Sequence, residues 1–149
     1  MLIVVLIIGI IAAIAIPKYA DALDYYRAEG AAKRIQRDLL FARTAARAGS
    51  KSVTVTFQTG ANRYELLGRT NPDRPGESHV VQLANTGYPA SLTTVNIDGG
   101  ASITFDMHGR PFAGTGTTTP MSSGTILVTS GGRQKSVVIE PVTGAVTIP

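Results

Sequence analysis

The order of apolar patterns along the 149 residues predicts an α+β protein: a long N-terminal helix in two parts, packed on an antiparallel β-sheet or sandwich of about eight short strands. Three observations predict it. Residues 1–16 are all apolar or glycine, and no later stretch repeats such a run. From Lys18 to Ala48 the apolar residues recur at helical spacing. After Ser50 the spacing changes to alternation, punctuated by Gly, Asn, Asp and Pro. The length allows one domain with one core. The expected division is 1–17 for the apolar helix, 18–49 for its amphipathic continuation and 50–149 for the β-rich part.

Nine of the first sixteen residues are β-branched, a composition that in water favours a strand. In a bilayer a lone strand leaves its backbone unpaired, so a lipid-buried segment must be helical. Sixteen helical residues span about 24 Å, less than the ~30 Å hydrocarbon core. A cleaved secretory signal would need a basic segment before the apolar run, which is not present here. A buried core helix would rarely be apolar on every face. A membrane anchor that continues into a long helix fits best. Lys18 and Arg27 just after it favour a cytoplasmic location for that side, a preference that a basic leader ahead of Met1 would reverse. The short span and the abrupt start lead us to expect the true N-terminus upstream of Met1.

Within this first element, Gly9 weakens the helix by about 1 kcal/mol relative to Ala. Pro17 removes one backbone hydrogen bond and is expected to bend the axis. In the second element, Ala28, Ile35, Leu39, Ala42 and Ala46 share one narrow arc at about 100° per residue. Lys33, Arg37, Arg43 and Arg47 lie away from it, with Leu40 interrupting the basic side. The apolar arc should pack on the following domain, and solvation is the simplest role for the cations. Gly49 and Ser50 read as the helix end.

The strand candidates are Ser52–Phe57, Arg63–Leu67, Ser78–Leu83, Thr93–Ile97, Ala101–Phe105, Thr125–Thr129, Lys135–Ile139 and Ala145–Ile148. Val53, Val55 and Phe57 should face the core together. Turns are expected at Asn71–Gly76, Asn85–Pro89, Asp98–Gly100, Gly109–Pro120 and Gly131–Gly132. Gly114–Ser123 has no apolar periodicity and reads as a mobile loop.

Catalytic chemistry finds little support. His79 and His108 lie in different β segments without an i, i+4 partner, so no metal site is expected. No G-x-S-x-G context surrounds any serine, and Asp98–Gly99–Gly100 reads as a turn. With no cysteine there is no disulfide or thiolate site. Residues 1–51 hold eight Lys/Arg against four Asp/Glu, and the remaining 98 hold six of each. The net charge of +4 therefore belongs to the helix, and a basic balance alone does not make the β-rich part a nucleic-acid binder.

Met1–Tyr19, M-L-I-V-V-L-I-I-G-I-I-A-A-I-A-I-P-K-Y, resembles the N-terminal segment of type IV pilins and type II secretion pseudopilins. In that family a basic leader ending in Gly precedes Phe-Thr-Leu-Ile-Glu. Aligning Gly9 and Pro17 with the family's glycine and proline places the glutamate immediately before Met1. The resemblance thus implies that the leader and first mature residues lie ahead of the sequence given. The helix end L-L-F-A-R-T-A-A-R-A-G-S followed by V-T-V-T-F is similar to the pseudopilin H and FimT group. Ile103–Pro111 and the closing hairpin I-L-V-T-S-G-G-R-Q-K-S-V-V-I-E-P share that likeness.

The resemblance implies a minor pseudopilin, a structural subunit of a type II secretion pseudopilus that serves protein export, with no catalytic activity, no cofactor, no metal and no small-molecule substrate. It implies a single-pass location in the bacterial inner membrane, with the β-rich domain in the periplasm, until the stem is extracted into a filament. The implied partners are other pseudopilins or pilins through the helix, the inner membrane and the assembly platform. Leu2, Val5, Gly9, Ala12 and Ala13 would line stem contacts, and Pro17 would close that segment. The alternative is a FimT-like minor type IV pilin that contributes to pilus assembly or to DNA binding and uptake. Gly132–Arg133–Gln134–Lys135 corresponds to that group's DNA-gripping G-R-x-R element, so Arg133 and Lys135, aided by Arg110, are the candidate DNA contacts. The plainer reading of the same residues is a solvated hairpin turn.

Overall fold

The computed structural model describes the backbone of residues 2–71 and 74–149, and the side chains of these residues except 2, 5 and 8–17. Among the described residues one α-helix, α1 (Leu2–Gly49), is followed by nine strands: β1 (Val53–Gln58), β2 (Arg63–Asn71), β3 (Arg74–Gln82), β4 (Ser91–Ile97), β5 (Ser102–Phe105), β6 (Pro111–Ala113), β7 (Gly124–Ser130), β8 (Arg133–Ile139) and β9 (Val146–Thr147), with a short 3-10 turn at Leu83–Asn85. The strands form two antiparallel sheets, in the orders β3-β2-β1-β5-β6 and β4-β7-β8-β9. Among the described residues no helix is long and apolar enough to cross a membrane.

The helix is unbroken from Leu2 to Gly49 and includes Pro17. It ends as a 6→1 and 5→2 pair of backbone bonds: Lys51 N–H donates to Ala46 (3.2 Å) and Ser50 N–H donates to Arg47 (3.4 Å). Ser50, at φ 47°, takes the left-handed position that glycine usually fills. Gly49 is the last helical residue, one place earlier than the chain reversal itself.

The arc read from the sequence is the buried one. Ala28, Ile35, Leu39, Ala42 and Ala46 are at most 1% exposed, and Ala31 and Ala32 join them. They pack against β1, β5, β7, β8 and β9, so the helix lies across both sheets and shares one core with their inward faces. In β1 the alternation holds, with Val53, Val55 and Phe57 buried. Two polar stitches add to the packing. Gln36 Nε2 donates to the Val146 carbonyl (2.7 Å), and Asn62 links the sheets by donating to Ala90 (2.9 Å) and accepting from Leu92 (2.7 Å).

Three expectations change. The ninth strand, β6, falls inside the stretch read as turn and pairs with β5 through Ile103↔Ala113 and Phe105↔Pro111. Three residues beginning at proline carry no readable period, and an edge position tolerates the missing N–H. The β2–β3 hairpin reaches Asn71 and Arg74, beyond the Leu67 and Ser78 limits, through a register irregularity between Leu66 and Asn71. Gly68 and Gly76, both at positive φ, resemble strand breaks in sequence but act as bulge residues. The 114–123 loop is held at its ends: Gly114 N–H bonds Ser102, Ala113 N–H bonds Thr119, and Met121 is buried. Its return is fixed by Asp98, whose carboxylate accepts from Ser122 N–H (2.7 Å) and Ser123 N–H (2.8 Å). The Asp98–Gly100 turn therefore also anchors a second loop. The Ser122 N–H in particular holds the Asp98 carboxyl below its ordinary range, against the opposing effect of burial.

Candidate functional site

The stem positions Leu2, Val5, Gly9, Ala12, Ala13 and Pro17 lie on α1, but their side chains are outside the described residues. Around them, Ile3, Val4, Leu6 and Ile7 are all at least half exposed, and Tyr19 is 72% exposed. The apolar character of the lower helix is therefore not absorbed by the β domain. This region ends where Asp24 meets the β7–β8 turn. The Ser130 hydroxyl donates to Asp24 Oδ1 (3.2 Å), and Arg27 pairs with the same oxygen (3.4 Å). A Cβ added at Gly131 would overlap the Asp24 carboxylate, and its φ of 55° already favours glycine.

Above that point the helix and the β2–β3 hairpin share a buried polar cluster. Tyr64 O–H donates to Asp38 Oδ2 (2.5 Å), Arg34 Nε donates to the same oxygen (3.1 Å), and His79 Nε2 lies 3.7 Å from it. Burial, and then the Asp38 charge beside it, pushes the Tyr64 phenol well above its ordinary value. His79 is 1% exposed, and neither ring nitrogen has a hydrogen-bond partner among the described residues. The cluster joins helix to sheet, but with one carboxylate and one imidazole it lacks a ligand set. No group of three or more metal-ligating side chains occurs among the described residues.

The cations named from the hairpin are turned back on the stem. Arg133 pairs with Asp21 (3.4 Å), and Lys135 Nζ stands 4.8 Å from the centre of the Tyr25 ring. Arg110 is elsewhere. Its guanidinium bonds Asp106 Oδ2 at 2.8 and 2.9 Å and stands 5.9 Å from the Phe112 ring centre. The Asp106 carboxylate also accepts the backbone N–H groups of His108 and Arg110. Burial acts to raise its pKa, but these donors and the guanidinium together hold it below the ordinary range.

The Arg110 loop packs on the upper helix, where Arg43 Nε donates to Gly109 O (3.3 Å). Asp21 and Arg43 are 22 residues apart on one helix, about 33 Å. The fold therefore does not bring Arg110 together with Arg133 and Lys135. What sequence reasoning missed is the neighbourhood that the Arg110 loop does have: the stems of Arg43 and Arg47 from α1, which flank Gly109. The helical spacing of Arg43 and Arg47 was visible in the sequence, whereas their meeting with Gly109 is a long-range contact.

The sequence profile described as "Type II transport protein GspH" matches residues 31–143. No curated protein matches the chain by sequence. Among solved structures, the type IV minor pilin FimU of Pseudomonas aeruginosa strain PAO1 is similar in two crystal forms. In space group P65 the TM-score is 0.56 at 12% identity, over 81% of this chain and 91% of that one. In space group P21 the TM-score is 0.57 at 12% identity, over 82% and 87%. At that identity the likeness establishes a shared fold: one long helix on antiparallel sheets.

Proposed function

The chain belongs to the type II transport protein GspH family, and from that membership we propose that it is a minor pilin-like filament subunit, specifically a minor pseudopilin of a type II secretion pseudopilus. Family and fold are those of structural pilin-like proteins. The observation that carries the filament reading is the unequal burial along α1. Its upper part supplies the core of its own domain, while Ile3, Val4, Leu6 and Ile7 remain exposed. A surface of that kind needs lipid or other apolar helices to cover it.

In this reading residues 1–17 rest in the inner membrane and residues 50–149 lie in the periplasm. A motor then extracts the stem into a bundle of like helices. Re-burying half a dozen large apolar side chains there recovers roughly 10 kcal/mol, which offsets their loss from lipid. Leu2, Val5, Gly9, Ala12 and Ala13 would line those contacts. A minor subunit of a type IV pilus is the second reading, supported by the likeness to FimU.

Deleting the chain from its native host separates the two readings. Loss of protein export with surface pili retained supports the pseudopilin, and loss of pili with export intact selects the pilin. For the filament role itself, Leu6→Lys/Ile7→Lys should leave the β domain folded and abolish recovery of the chain with sheared filaments. Undiminished recovery of that variant would sink the proposal.

A further inference from the structure

The two sheets end in four terminal strands, and three of these carry a covering contact. Along β6 the chain folds back, with Ala113 N–H bonded to Thr119 and Met121 N–H to Pro111. Gln36 of α1 holds the Val146 carbonyl of β9, and Asn62 accepts the Leu92 N–H of β4. The edge of β3 differs. Asn62 also accepts from Leu83 (3.1 Å), which fixes the alternation of the ladder. Val81 and His79 bond β2, while the N–H and C=O groups of Val80 and Gln82 point to the open edge. Arg74 and Pro75 guard the hairpin end of this edge, but residues 78–82 include no proline and no Asp, Glu, Lys or Arg. The helix packs on β1, β5, β7, β8 and β9, and a cleft of about 880 Å³ lies between it and β3.

The helix presents one face to this cleft. Tyr26, Glu29, Gly30, Lys33, Arg34 and Arg37 follow one another at i, i+3, i+4, i+7, i+8 and i+11. Eleven residues of helix rise about 17 Å, the length of about five extended residues. Arg74, Glu77, Val80 and Gln82 stand on the opposite wall, and Tyr88 closes one end against Gly30. The exposed rings of Tyr26 and Tyr88, with Val80 on the strand, offer apolar contact to the side chains of an incoming strand. Charge narrows the choice further. Lys33 pairs with Glu29, Arg34 with the buried Asp38 and Arg74 with Glu77, which leaves Arg37 exposed and without an ion pair among the described residues. The Lys33 and Arg74 pairs are at the surface, where such pairs are weak and readily shared with a new carboxylate. We propose that this cleft receives an extended acidic segment of a partner protein, paired with residues 78–82 as a sixth strand of the β3 sheet. Such a site lies on the flank of the β domain, apart from the apolar stem, and stands or falls independently of the filament role.

The test is fluorescence anisotropy of fluorescein-labelled Thr-Glu-Val-Glu-Val-Glu-Thr with the full chain in nonionic detergent. The peptide should bind, and its counterpart with Lys in place of Glu should bind more weakly. Alternate amides of the peptide can be N-methylated in two ways. One form should lose about tenfold in affinity and the other should retain it, because only every second amide of an added strand faces β3. This comparison leaves the chain itself unaltered. Val80→Pro removes an outward N–H and should weaken binding by a similar factor. Arg37→Glu should weaken the acidic peptide about threefold and shift preference towards the Lys form. Equal affinity of the two N-methylated forms, full binding by Val80→Pro, an unchanged preference in Arg37→Glu, or no binding of any peptide would each overturn the assignment. Self-association of the chain that the peptide disperses would replace the partner segment with a second copy.

Discussion

The lower and upper parts of α1 share a backbone conformation and a side-chain period but have opposite fates. Below Asp24 the helix exposes its largest apolar groups, Tyr19 and Ile3 among them. Above Ala28 it buries chiefly alanines, with Ile35 and Leu39 as the two large anchors. Small residues let the domain approach the helix closely, as at Gly30, where a Cβ would come 2.5 Å from the ring of Tyr88 in the connection before β4. Most of the helix's described large apolar residues lie where no sheet covers them. One helix thus serves its own core at one end and a surface for other molecules at the other, and hydrophobicity alone does not distinguish the two.

The sharpest way to break this contrast is a cavity. Leu39→Ala should destabilise the β domain by about 3 kcal/mol, read by urea unfolding with tyrosine fluorescence in detergent. Leu6→Ala should change the same transition by under about 0.5 kcal/mol. Equal effects would mean that the stem is packed against its own domain. Next is the seam between the parts. Gly131→Val adds a branched Cβ at φ 55° against Asp24 and should cost about 2 kcal/mol. Gly116→Val, with only Thr118 Oγ1 at 3.9 Å, should be near neutral in the same assay.

A smaller effect tests the polar cluster above the seam. Tyr64→Phe removes the hydrogen bond to Asp38 and should cost about 1.5–2 kcal/mol at neutral pH. Its pH dependence has a definite sign. The folded pKa of Tyr64 is raised, so its neutral form contributes stability that is complete below the unfolded value of about 10 and is lost as pH rises through the folded one. The wild-type chain should therefore lose stability above about pH 10, and Tyr64→Phe should flatten that limb. The smallest change expected is Arg133→Ala. An exposed pair with Asp21 is worth under about 0.5 kcal/mol, and thermal melting should barely move.

The helix face and most strands were legible because each is a local repeat. Val53, Val55 and Phe57 reveal their burial to anyone who reads every second residue. The β6 strand was not legible, since its existence depends on β5 lying beside it. Nor could spacing show that Asp98 anchors Ser122 and Ser123, or that Ser50 rather than Gly49 takes the left-handed turn. The candidate cations were less legible still. Arg133 and Lys135 are neighbours in sequence, and both are engaged by the helix. Arg43 and Arg47 are far in sequence from Gly109 and pack against it.

The amino-acid order by itself determined the fold class, the buried arc of α1 and the surplus of apolar residues in the stem, because periodicity reports which side of an element must leave water. Tertiary structure alone decided which cations are paired and which pack on a distant loop. Charges have no repeat to follow. Their neighbours are set by how the apolar faces dock, and a guanidinium that reads as solvated in sequence becomes part of an ion pair, as Arg133 does with Asp21, only once that docking has brought its partner within reach.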